Sequence, residues 1–201
     1  MLKIAVTGGI GSGKSVVCKI FGILNIPVFN ADFEAKKLLN NDPIVRSRLR
    51  ENFGNEIFSP DSKIDKQKLS SIIFNNNEKL TIVNSILHPL VMRDYEYWVE
   101  EHSNCHYNIM EAAIIIEGGF YAFMDYVVLV ISPMEIKINR IVNRDKCDKE
   151  VALKKMENQL DDESKIKRAH FLIYNDEKQF LIPQVLKIHE NLLELTKKNI
   201  I

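Results

Sequence analysis

Eight residues near the start of the chain, Gly8 to Ser15, have the types and spacing of a phosphate-binding loop. They read Gly-Gly-Ile-Gly-Ser-Gly-Lys-Ser, follow an apolar run at 2–7 and precede a helical pattern that begins at Lys14. Glycines permit a tight turn whose N–H groups, with the N-terminus of the next helix, can surround phosphate oxygens. Lys14 can reach the outer phosphates, and the Ser15 hydroxyl can bind Mg²⁺. The sequence therefore predicts binding of a nucleoside triphosphate rather than a plain glycine-rich turn.

Two arginines farther along, Arg140 and Arg144, lie four residues apart and share one face of a predicted helix. Arginines on a mobile lid can stabilise a transferring phosphate and exclude water. The alternative is a solvated face that pairs with Asp145 and Glu135. We favour the lid, with Arg140 and Lys14 as catalytic groups. The residues expected to hold the nucleotide are Gly8, Gly9, Gly11, Ser12, Gly13, Lys14, Ser15, Val16, Arg140 and Arg144.

Three acidic residues are candidates for the remaining chemistry of phosphoryl transfer, which needs a metal and an aligned nucleophile. A magnesium site requires Ser15 and a second oxygen ligand, which Asp32, Glu111 or Glu117 can supply. Glu111 follows a buried strand pattern, although it could equally form a structural ion pair with a lysine or arginine. We take Ser15 and Glu111 as the predicted metal ligands, and the choice between Glu111 and Glu117 stays open.

Asp32 follows a short predicted strand, and the carboxyl ends of strands in an open α/β sheet face the ligand crevice. A carboxylate there could accept the proton of an acceptor hydroxyl. The alternative is a helix cap, because aspartate is a favoured N-cap and a helical pattern begins directly after it.

Composition narrows the class of protein. The chain has 201 residues, 46% hydrophobic and 27% charged, which suits one globular domain with insertions. Lysine plus arginine and aspartate plus glutamate both number 27, and this zero balance disfavours a large nucleic-acid footprint. Three widely spaced cysteines indicate free thiols in a reducing compartment. We find no signal peptide and no apolar stretch of membrane-spanning length, so we expect a cytoplasmic protein without membrane partners.

The order of patterns predicts an α/β fold with a doubly wound parallel sheet. We expect strands at 2–7, 26–29, 107–116, 126–131 and 171–174, and a last helix at 177–198. Ser132 is predicted to cap a helix that carries Pro133 at its first position.

Two helical segments interrupt this alternation. One contains helices at 33–40, 43–52, 65–74, 77–87 and 89–102, with the break between the last two at His88-Pro89. The other is short and charged. The predicted domains are a core of 1–32, 104–139 and 169–201, a helical substrate domain of 33–103 and a lid of 140–168.

Two histidines, His102 and His106, flank Cys105 at a spacing that metal ligands can have. A polar loop before a strand is the interpretation that we favour.

The chain resembles the dephospho-CoA kinase family along nearly its whole length. The phosphate loop matches from Thr7 to Ser15, and the family's Asp-Ala-Asp is similar to Asn30-Ala31-Asp32. The remaining matches are Asp65-Lys66, Leu69, Ile73-Phe74, His88-Pro89-Leu90-Val91, Ala113 to Glu117, Arg140, Arg144, Gln159, Lys165, Arg168-Ala169 and Asn175.

The resemblance implies a P-loop kinase core with a helical substrate-binding insertion and a helical lid. It implies transfer of the ATP γ-phosphate to the ribose 3′-hydroxyl of dephospho-CoA, with Mg²⁺, and no nucleic-acid partner. Asp32 inherits the general-base position. The residues expected to contact the substrate are Asp32, Lys66, His88 and Glu117.

Four residues depart from the family pattern. Asn30 replaces an aspartate, Lys66 an arginine, Ala113 a proline and His170 an aspartate. Lysine cannot bind phosphate through two parallel hydrogen bonds as arginine does. None of these changes removes the loop, the proposed base or the two lid arginines, so we expect an active enzyme, as a monomer or small homo-oligomer.

Two other functions fit the same loop. A nucleoside monophosphate kinase, or a related small-molecule kinase, would share the core and lid and differ in its acceptor. A nucleotide-controlled switch is a second alternative, but no Asn-Lys-x-Asp base-reading motif is present.

Overall fold

The computed structural model describes residues 1–61, 63–74, 76–157 and 159–198, with all their side chains except those of Lys66 and Phe74. Its centre is a five-stranded parallel sheet in the order β2-β3-β1-β4-β5, which confirms the predicted fold class. Parallel pairing throughout brings all carboxyl ends of the strands to one edge. The strands are β1 (Leu2–Thr7), β2 (Val28–Asn30), β3 (Tyr107–Glu111), β4 (Tyr126–Ile131) and β5 (Phe171–Tyr174).

Helices of at least one full turn connect the strands and form the excursions from the sheet. They are α1 (Lys14–Ile23), α2 (Ala31–Asn41), α3 (Pro43–Phe53), α4 (Lys66–Phe74), α5 (Asn77–Glu101), α6 (Met134–Asp145), α7 (Lys149–Glu157), α8 (Asp162–Ile166) and α9 (Leu181–Lys198).

The chain divides into two compact units. The first unit contains Met1–Asn30 and Glu101–Ile201, and the second is Ala31–Glu100. In the second unit α2 packs on α3, and both α3 and α4 pack on a short 3₁₀ turn at Asn55–Ile57. The core of the first unit lies between the sheet and the helices α1 and α9. The residues 140–168 belong to the first unit, so a separate lid domain stays a prediction.

Apolar strands and amphipathic helices account for that core. The central strands carry near-continuous apolar runs because both of their faces are covered. Helix α9 turns an apolar stripe of Val185, Ile188 and Leu192 toward the sheet. From α1, Phe21 is fully buried and meets the ring of Tyr107 edge-to-face, with 6.4 Å between the ring centroids.

The outer strand β5 is covered along part of its free edge by a side chain. The Gln184 amide accepts a hydrogen bond from the Tyr174 N–H (2.8 Å) and donates one to the Tyr174 carbonyl (3.0 Å). One glutamine thus satisfies both backbone groups of this edge residue.

Several predicted boundaries were wrong. Strand β3 ends at Glu111 rather than 116, because the next residues fold into turns in which the Gly118 N–H binds the Ile114 carbonyl. Helix α9 begins at Leu181 rather than at 177, since the Asp176 carboxylate accepts the N–H groups of Lys178 and Gln179 in a turn.

The predicted break at His88-Pro89 was also wrong, because α5 continues through Pro89. Proline removes one hydrogen bond, yet buried side chains on both sides of it hold the helix, among them Leu87 and Val91. Ser132 does not cap α6 either. Its hydroxyl donates to the Asn175 carbonyl oxygen (2.8 Å), and α6 shows no side-chain cap.

Over the described residues, no helix combines the length and the apolar character needed to cross a bilayer. The three cysteines are unpaired.

Phe21 and Phe180 provide a matched test of this core. Phe21 is fully buried, whereas Phe180 is 84% exposed. We expect Phe21→Ala to lower the free energy of unfolding by about 3–5 kcal/mol, because it removes a large side chain and leaves a cavity. Phe180→Ala should change it by less than about 0.5 kcal/mol. Equilibrium urea unfolding measures both, and equal effects would contradict the described packing of α1.

Candidate active site

The phosphate loop joins β1 to α1 with a backbone that two glycines make possible. Gly11 and Gly13 have φ values of 80° and 90°, a region that side chains rarely adopt. A Cβ on Gly13 would lie 2.1 Å from the Asn175 amide nitrogen, and one on Gly11 would lie 2.6 Å from the Lys137 carbonyl oxygen. The loop therefore lies in close contact with neighbouring segments on both sides, and the glycines leave room for them.

Arg140 and Asn175 hold this loop from one side. Arg140 Nη1 donates to the carbonyl oxygens of Gly11 (3.3 Å) and Ser12 (3.4 Å), and Nη2 donates to Asn175 Oδ1 (3.2 Å). The Asn175 amide in turn donates to the Ser12 carbonyl oxygen (2.8 Å). Arg140 thus differs from the mobile-lid arginine that the sequence predicted, because its guanidinium donates hydrogen bonds to carbonyl oxygens of the loop. A catalytic role of Arg140 stays a prediction.

The surroundings of Arg144 agree with the alternative interpretation, a solvated helix face that pairs with Asp145. Arg144 is largely exposed and pairs with Asp145, which also accepts Lys155. The Arg144 guanidinium and the Lys155 ammonium hold the pKa of Asp145 well below its usual range. The pair is therefore fully ionised at neutral pH, and Arg144 binds Asp145 through Nε and Nη2.

A buried carboxylate, Glu111, lies at the carboxyl end of β3 beside the first turn of α1. Glu111 is 4% exposed. Its Oε1 accepts the Ser15 hydroxyl (2.5 Å), and its Oε2 accepts the Asn30 side-chain amide (3.1 Å). Among the described residues no lysine, arginine or histidine forms an ion pair with it. The alternative of a structural ion pair therefore does not apply, and the two predicted metal ligands lie together.

These groups fit Mg²⁺, which prefers oxygen ligands and keeps several waters or phosphate oxygens around it. A hydroxyl and one carboxylate supply two such oxygens, and a buried carboxylate that forms no ion pair among the described residues is stabilised when a cation binds. The described residues hold no cluster of three or more His, Cys, Asp or Glu suited to a metal. A metal here would thus depend on the nucleotide for further ligands. The same observation leaves His102, Cys105 and His106 as a polar loop.

Cys18 lies one turn after Ser15 on α1 and was not predicted to belong to the site. Burial raises the pKa of its thiol, and the nearby Glu111 carboxylate raises it further. The thiol is therefore protonated at neutral pH, and we regard it as packing beside the carboxylate rather than as a nucleophile. Its position four residues after Lys14 was the only signal in the sequence.

The segment after α7 is tied to the loop and to the turn after β3. The Gln159 amide oxygen accepts the Ile10 N–H (2.8 Å), and the buried Lys137 pairs with Asp162 (2.8 Å). The contact between Gln159 and Ile10 holds the residues that follow α7 against the loop. We call these residues, 159–162, the cover segment. The family pattern included Gln159, but sequence reasoning had assigned it no role.

Glu117, the other predicted carboxylate, has different partners from Glu111. It accepts the Leu160 N–H (3.1 Å) and lies 2.9 Å from the fully buried Lys165 ammonium, an ion pair without hydrogen-bond geometry. Glu117 thus binds the cover segment, whereas the Ser15 hydroxyl binds Glu111. This favours Glu111 as the metal ligand.

The second unit carries three predicted residues. Asp32 lies in the first turn of α2, which begins at Ala31, so it does not cap that helix as the alternative interpretation supposed. An acidic side chain in the first turn interacts favourably with the helix dipole. His88 lies in α5, half-buried, and burial lowers the pKa of its imidazole, which favours the neutral form. Lys66 begins α4, and its side chain lies outside the described part of the chain.

The other predicted loop residues differ in exposure. Lys14 begins α1 and is half-buried, Val16 is exposed, and Ser12 is buried with a hydroxyl that has no hydrogen-bond partner among the described residues. A cavity of about 910 Å³ opens beside Gly9 at the carboxyl ends of β4 and β5, under the cover segment. Its walls are both apolar and acidic.

The close contact at Gly13, which precedes α1, can be tested against Gly22, which lies within α1 and has nothing within 4 Å of an added Cβ. We expect Gly13→Ala to weaken ATP binding by about ten-fold or more, because a strained backbone costs about 1–3 kcal/mol and Asn175 must move. Gly22→Ala should keep the affinity and stabilise α1 by about 0.5–1 kcal/mol. Calorimetric titration with ATP and thermal unfolding measure the pair. Equal affinity in the two variants would contradict the described loop.

Comparison with known proteins agrees with the loop and its surroundings. The sequence model of the dephospho-CoA kinase family matches residues 2–180. A dephospho-CoA kinase of Bacteroides fragilis (strain YCH46) is 39% identical over 188 residues, 93% of this chain and 91% of that protein. Among solved structures, TT1252 from Thermus thermophilus matches with a TM-score of 0.74 and 25% identity, covering 94% of this chain and 96% of that one. Dephospho-CoA kinase from Campylobacter jejuni matches with a TM-score of 0.68 and 26% identity, covering 98% of both chains. The chain belongs to the dephospho-CoA kinase family.

Proposed function

We propose that this kinase transfers the γ-phosphate of ATP to the ribose 3′-hydroxyl of dephospho-CoA, giving CoA and ADP. The observation that carries the proposal is the pairing of Ser15 with the buried Glu111 at the end of a glycine-rich phosphate loop, in a chain of this family. The loop alone supports phosphate binding. The carboxylate forms no ion pair among the described residues, which supports a metal, and the family supports the acceptor.

The phosphate loop binds and orients the triphosphate. Its N–H groups and the N-terminus of α1 attract the phosphate oxygens, and the Lys14 ammonium can neutralise charge on the outer phosphates. Ser15 and Glu111 would hold Mg²⁺, which when bound supplies positive charge to the phosphates. Arg140 supports the loop through the Gly11 and Ser12 carbonyls, which keeps the N–H groups facing the ligand.

Asp32 is the proposed general base. The acceptor is an alcohol, whose proton must leave as the new bond to phosphorus forms. A carboxylate at the carboxyl edge of the sheet can take that proton at its oxygen. The position of Asp32, two residues beyond the end of β2, supports this role.

The remaining predicted contacts belong to the acceptor and the cover. Lys66 and His88 are proposed substrate contacts of the helical second unit, and Glu117, which binds the Leu160 N–H, is proposed as a further substrate contact. The contacts Gln159–Ile10 and Glu117–Leu160 support a segment that covers the reacting phosphates and excludes water. Arg144 is proposed to join the phosphates when this cover binds nucleotide.

Two further proposals concern the setting of the enzyme. The unpaired cysteines support a reducing compartment, and we propose a cytoplasmic location. We also propose a monomer or small homo-oligomer with small molecules as its only ligands in catalysis.

A coupled assay of ADP release with ATP and Mg²⁺ tests the proposed acceptor. We expect turnover with dephospho-CoA and none with AMP, CMP or dTMP, because these nucleotides lack the pantetheine arm that would position the 3′-hydroxyl beside the base. Turnover with a nucleotide instead would identify a nucleoside monophosphate kinase. Absence of turnover with every acceptor would favour a nucleotide-controlled switch and contradict the proposal.

Asp32→Asn tests the base. We expect turnover to fall by about 10²–10⁴-fold, because the amide cannot take a proton, while ATP affinity changes little. Glu34→Gln in the same helix is the control, since it removes a negative charge two residues away, on a different face of the helix, and should keep turnover. Steady-state kinetics and ATP titration measure both variants. Near-normal turnover in Asp32→Asn would exclude Asp32 as the base.

A further inference from the structure

Asn30, the last residue of β2, contacts the carboxylate that would hold the metal. Asn30 and Glu111 are register partners in the parallel ladder between β2 and β3, so their side chains project from the same face of the sheet. The Asn30 amide nitrogen donates to Glu111 Oε2 (3.1 Å). The contact thus follows from strand register, and its atoms are held by the sheet rather than by a loop.

The two oxygens of Glu111 have different partners, and this difference orients the carboxylate. Oε2 is bound by Asn30, which leaves Oε1 beside the Ser15 hydroxyl at 2.5 Å. Without the amide, the side chain could rotate about its last torsion, which is broad for glutamate. The hydrogen bond from Asn30 therefore selects which oxygen faces Ser15.

Asparagine is also the neutral isostere of aspartate. An aspartate at this position would put a second carboxylate about 3 Å from Glu111, where two like charges cannot both remain ionised without a cation between them. Asparagine instead donates a hydrogen bond to the ionised form. The amide can thus hold one oxygen of Glu111 by a hydrogen bond before any metal arrives.

We infer that Asn30 is a positioning residue for the metal-binding carboxylate, and that it prepares Glu111 for a single divalent cation shared with Ser15. The inference deepens the proposed function, because it rests on the assignment of Mg²⁺ to Ser15 and Glu111. It assigns to this amide the orientation of Glu111 Oε1 and the absence of a second carboxylate charge. Mg²⁺ would consequently bind well only together with the nucleotide, whose phosphates supply the missing negative charge.

The test uses the full-length chain and the linkage between Mg²⁺ and ADP, which needs no acceptor and no turnover. The measured quantity is the ratio of the ADP dissociation constant without metal to that with Mg²⁺, obtained by calorimetry. We expect Asn30→Leu to lower this ratio by about ten-fold, the usual effect of losing a partner that orients a metal ligand. A merely structural loss would weaken ADP binding equally with and without Mg²⁺. An unchanged ratio in Asn30→Leu would overturn the inference.

Asn30→Asp supplies the second arm, with a readout that needs no nucleotide. In chelator we expect its unfolding midpoint to fall by about 5 °C, because two carboxylates then adjoin. Mg²⁺ alone at millimolar concentration should restore that loss, whereas it should leave the wild type unchanged. The control is Asn191→Asp, the same substitution at an exposed position of α9, which should show neither effect. A midpoint of Asn30→Asp that Mg²⁺ does not raise would overturn the inference.

The arms separate this inference from the proposed acceptor. Failure of the wild type to phosphorylate dephospho-CoA, with the expected ADP ratios intact, would remove the proposed function and keep the role of Asn30. Turnover with dephospho-CoA and an unchanged ratio in Asn30→Leu would do the reverse.

Discussion

Burial of one carboxylate at the edge of a parallel sheet governs the arrangement of this kinase. An ionised group removed from water must be hydrogen-bonded or paired, or it loses its charge. Glu111 obtains hydrogen bonds from Asn30 at the end of β2 and from Ser15 in the first turn of α1. The strand order makes this possible, since β3 lies between β2 and β1 and all three end at the same edge. An order in which β3 did not lie between β2 and β1 would separate the carboxylate from one or both of these donors.

The phosphate loop shows the same dependence on distant neighbours. Its glycines explain why the turn can form, but its support comes from residues far along the chain. Arg140, Asn175 and Gln159 contribute three kinds of hydrogen bond to the backbone of a loop that ends at residue 15. The backbone of the nucleotide site therefore depends on residues that follow β4 and β5 in the chain.

Local patterns allowed much of the fold to be predicted from the sequence. The apolar runs of β1 and β4 and the amphipathic stripe of α9 depend on nearby residues, and they were found at their expected places. The pairing of Ser15 with Glu111 could also be expected, because phosphate-loop chemistry requires an oxygen partner. The position of Asp32 within the first turn of α2 was not foreseen, since a cap and a first-turn acid differ by only one or two residues.

Other features depended on contacts that no local pattern contains. Ser132 has the sequence of a helix cap, but its hydroxyl is taken by a carbonyl 43 residues away. Pro89 has the sequence of a helix break, but buried neighbours on both sides outweigh one missing hydrogen bond. The contacts of Arg140 with the loop are likewise made across more than 120 residues of sequence, and no local pattern indicated them.

The glutamine at the edge of β5 has a consequence for how this enzyme behaves among other copies of itself. An open strand edge presents unpaired N–H and C=O groups, which can template the addition of a foreign strand and lead to aggregation. Gln184 occupies both groups of Tyr174 with a single side-chain amide. At the opposite edge, β2 is only three residues long and offers little length for pairing. At the β5 edge, the Gln184 side chain thus makes the hydrogen bonds that a neighbouring strand would make, and this hinders the addition of a strand. At the β2 edge, the short length of the strand has the same effect.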